Sequence, residues 1–441
     1  MNDVLLQLIQ RLNEPAARYA ELDRYYTGRQ PLAFLSPEAK VALGNRFGVM
    51  ASNIPRLAVT ALSERLRITG FSDASLWPDW LRNDLDQTSG VAHREALLMG
   101  DSFVIVWADR FGRPNVTVES AKQVAVLTDP GTRQIVAALK RWEEKPANRT
   151  HAVVYLPDRI VRLLAEQVGT VTPTAFKVVD EIANPLGVVP VANLRNTDRI
   201  LGDFGCSELD DLKCLVDALN KSLADMMVSS ETSARPRRFA TGIELAEEPV
   251  LDDDGNPVLD EDGQPVMVET NPIPEGHRAM ISENENAKFG QLPAADLAAY
   301  EASVRVILGQ IMAVSTLPAH YVGVFTDNPA SADALRAAEA SLTARAEARQ
   351  QTFGRSWELV GKLMIAVRDG RDPNSIDNVR VQWADAATRS VAQEADAVTK
   401  LFQAGLLPRD YALAKLGFSD DEIAKVQASG TTAPQGGSNA A

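Results

Sequence analysis

The stretch from Leu317 to Leu342, LPAHYVGVFTDNPASADALRAAEASL, constrains this chain more than any other. A short segment of Pro, His, Tyr, Gly and Phe is set between two helical patterns. Asn328 and Pro329 suit a helix start, with Asn as cap and Pro in the first turn. The pattern that follows runs to about Ala366, roughly 55 Å at 1.5 Å per residue. Its first half is mostly Ala, Arg and Glu, too weakly apolar for an ordinary core helix. Trp357, Leu359, Val360, Leu363 and Met364 anchor its far end. The expectation is a loop held out from a body and braced by a rigid strut.

The rest of the chain divides by periodicity. Leu5, Leu8, Ile9 and Leu12 share a helix face, and Tyr19, Leu22 and Tyr26 continue the stripe beyond Pro15. A second helix starts near Pro55, buries Leu57, Ala61, Leu62 and Leu66, and stops near Gly70. A third spans Trp77 to Met99. Period-two patterning then predicts strands at Phe103–Ala108, Asn115–Glu119, Gln123–Leu127, Ile135–Trp142, His151–Leu156, Ile160–Leu164 and Ala175–Val179. Turn residues separate them without intervening helices, so the region is antiparallel.

Helical spacing returns with Leu209, Leu212, Val216, Leu219, Leu223 and Met226, and Ser207 with Asp210 makes a near match to a capping box. Residues 249–268 carry two tandem acidic Asp-Gly units, which predict an exposed hairpin or tongue. They lack the spaced ligands and terminal Glu of a calcium loop. Ala294–Val314 is helical again. After the long helix, Val379–Trp383 reads as a strand, and three short helices follow at 392–402, 408–416 and 420–427. Residues 428–441 have no apolar side chain beyond Ala and are expected to be disordered.

Chemistry-bearing motifs are scarce. Gly354 to Lys362 superficially suggests a phosphate loop, but Leu363 stands where Ser or Thr must be and the segment lies in a helical pattern. His93, His151, His277 and His320 are scattered, with no paired metal spacing. Cys206 and Cys214 lie eight apart in a predicted helix, too far to bond, and read as buried thiols of a reducing compartment. The N-terminus reads as an amphipathic helix and not a signal peptide, and no apolar run is long enough for a membrane span. The net charge of −14 argues against tight phosphate binding. It does not argue against a conduit, whose wall should repel phosphate so that contacts do not become barriers. Acidity also simply favours solubility. The C-terminal helices resemble a helix-turn-helix only weakly, because Asp420, Asp421 and Glu422 would repel DNA. Arg235, Arg237 and Arg238 cluster at a predicted helix C-terminus, which suits either the helix dipole or a basic ring.

Several segments together resemble the portal proteins of tailed bacteriophages, specifically the long-tailed type from actinobacterial hosts. They are Tyr25-Tyr26-Thr-Gly28 with Pro31-Leu32, Asn53-Ile-Pro55-Arg56 with Ala61-Leu-Ser-Glu-Arg65-Leu66, Asp217-Ala-Leu-Asn220 with Leu223-Ala-Asp225, and Leu317–Leu342. The resemblance implies an α+β, predominantly helical fold of wing, stem, clip and crown, with an antiparallel β region in the wing. By segment, residues 1–204 are the wing, 205–235 and 293–315 the stem helices, and 236–292 the clip with its acidic insert. Residues 316–330 are the tunnel loop, 331–385 the spine helix and a return strand, and 386–427 the crown.

It further implies a ring, usually a dodecamer, at one capsid vertex of a virion assembled in the host cytoplasm. Double-stranded DNA passes through without being read. The implied partners are the terminase large subunit, the major capsid and scaffold proteins, and head-tail connector proteins. No enzyme activity, cofactor, metal or membrane is implied. Pro318, His320, Tyr321, Val322, Gly323 and Phe325 are the candidate channel residues, with Arg235, Arg237 and Arg238 as a possible basic ring. Two alternatives stay open: a minor head or adaptor protein, and a nucleic-acid enzyme without a recognisable motif.

Overall fold

The computed structural model describes residues 2–32, 51–197, 199–200, 202, 204–234, 238–241, 246–250, 256–260, 263–270, 286, 288–291, 297–323, 332–387, 391–418 and 420–428. It falls into two compact units. The first comprises residues 1–27, 53–213 and 312–441, and the second 28–52 and 214–311.

In the first unit, α1 (Asn2–Asn13) and α2 (Ala16–Thr27) meet at a turn beside Pro15. Leu5, Leu8, Ile9 and Leu12 recur at helical spacing and are all buried. They pack on a five-stranded antiparallel meander of β4 (Val124–Thr128), β5 (Ile135–Glu144), β6 (Arg149–Tyr155), β7 (Arg159–Ala165) and β8 (Lys177–Ala183). The sheet face toward the helix carries Leu139, Val154, Val161 and Leu163, so the period-two and period-3.6 patterns meet in one core.

A second sheet sets β2 (Asp101–Ala108) between β3 (Pro114–Ser120) and β9 (Val191–Arg195). Helix α5 (Leu85–Met99) and the long helix α8 (Ala332–Asp369) pack against it. Phe103, Val104, Ile105 and Val106 are all buried, so this strand reads as a continuous apolar run without alternation.

Three expectations need correction here. The helix expected from Trp77 to Met99 is two, α4 (Trp77–Arg82) and α5. The break is tertiary. Asn83 Nδ2 donates to the Pro114 carbonyl at 3.1 Å, Val116 N–H donates to Asn83 Oδ1 at 2.9 Å, and Asp84 takes φ 52°. The helix that opens at Pro55, α3 (Ile54–Ser63), ends before Gly70. Residues Ile68–Phe71 instead form β1, paired with β14 (Val381–Trp383), Ile68 opposite Trp383. A partner some three hundred residues away leaves no local trace. Last, Cys206 and Cys214 are exposed, not buried, and no disulfide joins them; Cys206 precedes helix α6 (Lys213–Ala234), and the bonds between Ser207 and Asp210 form in a turn ahead of it.

Beyond β14 the chain continues into α9 (Val391–Gln403), α10 (Arg409–Lys415) and α11 (Asp420–Ala428).

The second unit contains α6, most of α7 (Ala298–Ser315) and the strands between them. Ser229 Oγ and Tyr300 Oη are 3.2 Å apart, which links the two helices. The excursion between them opens on β10 (Arg238–Thr241) paired with β13 (Lys288–Gln291), followed by β11 (Ala246–Pro249) paired with β12 (Met267–Thr270). The second Asp-Gly unit forms the expected turn. Gly263 has φ 76°, its N–H donates to the Asp260 carbonyl at 3.1 Å, and Asp260 Oδ1 accepts from Gln264 N–H at 2.9 Å. Val250, Val258 and Val266, spaced eight apart, exchange backbone hydrogen bonds in a closed cycle of 2.8 Å contacts.

Candidate functional site

The base of the candidate loop is built from the exit of α7. Thr316 takes φ 59°, unusual for a β-branched residue, and ends the helix. Pro318 starts a single 3-10 turn, Ala319–Val322, and Gly323 closes it at φ 78° with open space around it. Pro318 is buried, and His320, Tyr321 and Val322 are half-buried.

His320 and Tyr321 face the body. Their rings meet edge-on at 4.8 Å. His320 Nε2 lies 3.3 Å from Glu339 Oε1, and Arg65 Nη2 donates to Tyr321 Oη at 3.3 Å. Arg65 also donates to Glu339 Oε2 at 2.9 Å, an ion pair whose side chains are 9% and 11% exposed. Its other nitrogen, Nη1, donates to the Ala386 carbonyl at 2.6 Å and to Thr343 Oγ1 at 3.4 Å. Burial pulls the Arg65 pKa down, but hydrogen bonds to Glu339 and Tyr321 outweigh it, and the net displacement is upward. The guanidinium is therefore charged at every accessible pH.

A second anchor lies further along α8. Glu208, with a 6% exposed side chain, takes Arg345 and Arg349, the latter at 3.2 Å, and accepts from Asn196 Nδ2 at 3.0 Å. Arg345 Nη1 donates to the Val314 carbonyl at 3.3 Å, beside the loop's root. Gln350 Nε2 donates to the carbonyls of Arg65 and Ala384, each at 3.1 Å.

The distal half of α8 is held differently. Trp357 and Phe353 are fully buried, and Trp357 Nε1 donates to His93 Nε2 at 2.7 Å. Burial lowers the His93 pKa to about 3, in keeping with a neutral ring that accepts at Nε2. The glycines that superficially suggest a phosphate loop have a packing cause. A Cβ at Gly361 would lie 2.9 Å from Val379 Cγ1, and one at Gly354 would lie 3.2 Å from Val381 Cγ1. They let the helix approach the segment around β14 and do not cradle phosphate.

Other expected site residues are placed less fully. Phe325, with Asn328 and Pro329, lies outside the described residues, as do Arg235 and Arg237. Arg238 is in β10, its backbone opposite Gln291. Among the described residues no group of His, Cys, Asp and Glu is placed to hold a metal ion, and no helix is long and apolar enough to cross a membrane. The residues that sequence reasoning left without a role are Arg65, Glu208 and Glu339. Each sits in a helical or turn context with no motif around it, and only the fold brings their partners within reach.

What this arrangement can do is mechanical. It fixes the root of a loop to a long helix by charge and hydrogen bonds.

Comparison with known proteins gives one consistent result. The family model for phage portal proteins of the SPP1 Gp6-like type matches residues 5–435. The portal protein of Mycobacterium phage L5 is 28% identical over 396 residues, covering 83% of this chain and 76% of that protein. The portal protein of Mycobacterium phage D29 is 29% identical over 387 residues, with the same coverage of 83% and 76%. Among solved structures, a chain from the virion of the native gene transfer agent particle aligns at TM-score 0.46 and 14% identity, covering 91% of this chain and 93% of that one. A chain from the neck of the native particle, computed with C12 symmetry, aligns at TM-score 0.44 and 14% identity, covering 88% and 95%. These two scores are low, and the sequence matches carry the assignment.

Proposed function

The chain belongs to the SPP1 Gp6-like family of phage portal proteins, and on that premise we propose that it works as one subunit of a closed ring through which double-stranded DNA enters and leaves the capsid. The family is a structural component of the phage particle and not an enzyme. One observation carries the reading: the family match runs from residue 5 to 435. The match favours this reading over a motif-less nucleic-acid enzyme.

Symmetry supplies the mechanism. A head-to-tail contact between identical subunits closes when the rotation fits, and one loop per subunit then becomes a collar. Residues 318–325 are the collar in this reading, with Pro318, His320 and Tyr321 as its rooted base and Val322, Gly323 and Phe325 as its reach toward the duplex. A regular charged rod is best served by weak, repeated contacts that ignore sequence. A net charge of −14 per subunit keeps most of the wall repulsive to phosphate. Arg235, Arg237 and Arg238 would add a basic ring at the end of α6. The excursion between α6 and α7 would dock the terminase and later the connector proteins, with capsid and scaffold proteins around the rim. Assembly in the host cytoplasm completes the proposal.

Electron microscopy of the purified chain tests the ring. A closed ring with a hole wide enough for duplex DNA is expected, and a monomer or a ring without such a hole sinks the conduit. The collar has its own test. Exchanging residues 322–325 for a Gly-Ser segment leaves His320 and Tyr321 in place, so rings should assemble while packaged DNA falls. Normal packaging and retention would remove these residues from the channel.

A further inference from the structure

We infer that Arg65 is a positioning residue that couples the channel loop to the root of the C-terminal helices, so that neither shifts without the other. This rests on the reading of residues 318–325 as the channel loop. The geometry is a single fork that spans two segments, with Nη1 also reaching Thr343 Oγ1 of α8 at 3.4 Å. Nη2 holds Tyr321 Oη at 3.3 Å and Glu339 Oε2 at 2.9 Å, on the loop side. Nη1 holds the Ala386 carbonyl at 2.6 Å, five residues before α9 begins at Val391.

A guanidinium is planar, and its N–H directions are fixed relative to one another. If the loop turn moves and carries Tyr321 with it, the fork must rotate, and Nη1 swings away from Ala386. The neighbouring backbone tightens the link. The Arg65 carbonyl and the Ala384 carbonyl share one amide, Gln350 Nε2, each at 3.1 Å, and Ala384 N–H donates to the Arg67 carbonyl at 2.8 Å. Residues 65–67 therefore hold 384–386 at two points directly and at a third through Gln350, and the loop at one. Low exposure of the Arg65 and Glu339 side chains, 9% and 11%, keeps water from substituting for a lost partner. Lysine cannot replace this function, because a point charge on a flexible stem reaches one cluster of acceptors at a time.

Amide hydrogen exchange on assembled protein tests the coupling without DNA. Arg65→Lys should speed exchange in residues 319–323 and in 384–387 together, each by roughly tenfold, equivalent to about 1.4 kcal/mol of local opening. Tyr321→Phe is the gentler variant, since it removes one hydroxyl and leaves the ion pair. It should speed exchange at 319–323 and, by a smaller factor, at 384–387. If Arg65→Lys does not assemble, Tyr321→Phe alone decides. Faster exchange at 319–323 with 384–387 unchanged, or no change in either, overturns the coupling. DNA retained per particle is read separately. If the two segments respond together while DNA retention stays normal, the coupling stands and the channel reading fails.

Discussion

The two halves of α8 belong to one continuous helix of 38 residues, yet the balance of apolar and polar attachment to the body differs between them. From Phe353 to Met364 the attachment is apolar and close: Phe353, Trp357, Val360, Leu363 and Met364 are fully buried, and glycines 354 and 361 admit the neighbouring chain. From Glu339 to Gln350 only Leu342 and Ala346 are buried apolar residues, and most of the attachment is polar: Glu339 to Arg65 and His320, Arg345 and Arg349 to Glu208, Gln350 to two carbonyls. Hydrophobic burial is strong and tolerant of direction, whereas hydrogen bonds are weak in net terms and strict in direction. The distal half therefore fixes where the strut is, and the proximal half fixes how the loop at its end is aimed.

The largest effect should come from the apolar half. Trp357→Ala opens a cavity and orphans His93, which should cost about 3–5 kcal/mol and show as the greatest drop in thermal midpoint. A smaller drop than that of any proximal variant would break the contrast between the halves. Glu339→Ala should cost less, about 2–3 kcal/mol, because Arg65 keeps the Ala386 carbonyl and Tyr321. Replacing Arg65 and Glu339 together by Met should recover only part of that loss, since no charge is then left buried alone but the Ala386 carbonyl and Tyr321 Oη lose their donor; a double variant more unstable than the single one would contradict this.

Acid sharpens the same comparison. The His93 pKa falls from 6.5 to about 3 on folding, so the unfolded chain binds the extra proton between those values. Its contribution is fully present above pH 6.5 and is lost as pH falls toward 3, amounting to about 2 kcal/mol at pH 5. A midpoint measured against pH should fall over this window, and His93→Leu should flatten the slope. An unchanged slope would place the acid sensitivity elsewhere. The smallest effect expected is from Gly361→Ala, about 1–2 kcal/mol, as the added methyl meets Val379 at 2.9 Å. A neutral or stabilising result would show that the helix is not seated as closely as its glycine suggests.

Much of the molecule was legible because its signals are local. The stripe of Leu5, Leu8, Ile9 and Leu12 announced α1, a continuous apolar run announced β2, and alternation announced β3 to β8 to within a few residues. Trp357, Val360, Leu363 and Met364 marked the buried end of α8 correctly, whereas Leu359, expected with them, is exposed. The loop was legible as a loop, since Pro318 and Gly323 punctuate it. The outward look of its aromatics was not a guide. His320 and Tyr321 sit against Glu339 and Arg65, and nothing near residue 320 foretells a guanidinium 256 positions earlier.

By itself the sequence determined the kinds of element, their order, the apolar faces they would bury and the family to which they belong. Those depend on spacing along the chain, and burying apolar surface asks only that a face be present. Only the tertiary structure decided that β1 pairs with β14, that α4 and α5 part at Asn83, and that Arg65 meets Tyr321, Glu339 and Ala386 at once. Those are directional contacts between distant segments, and a hydrogen bond exists only when the fold has already set both its ends in place.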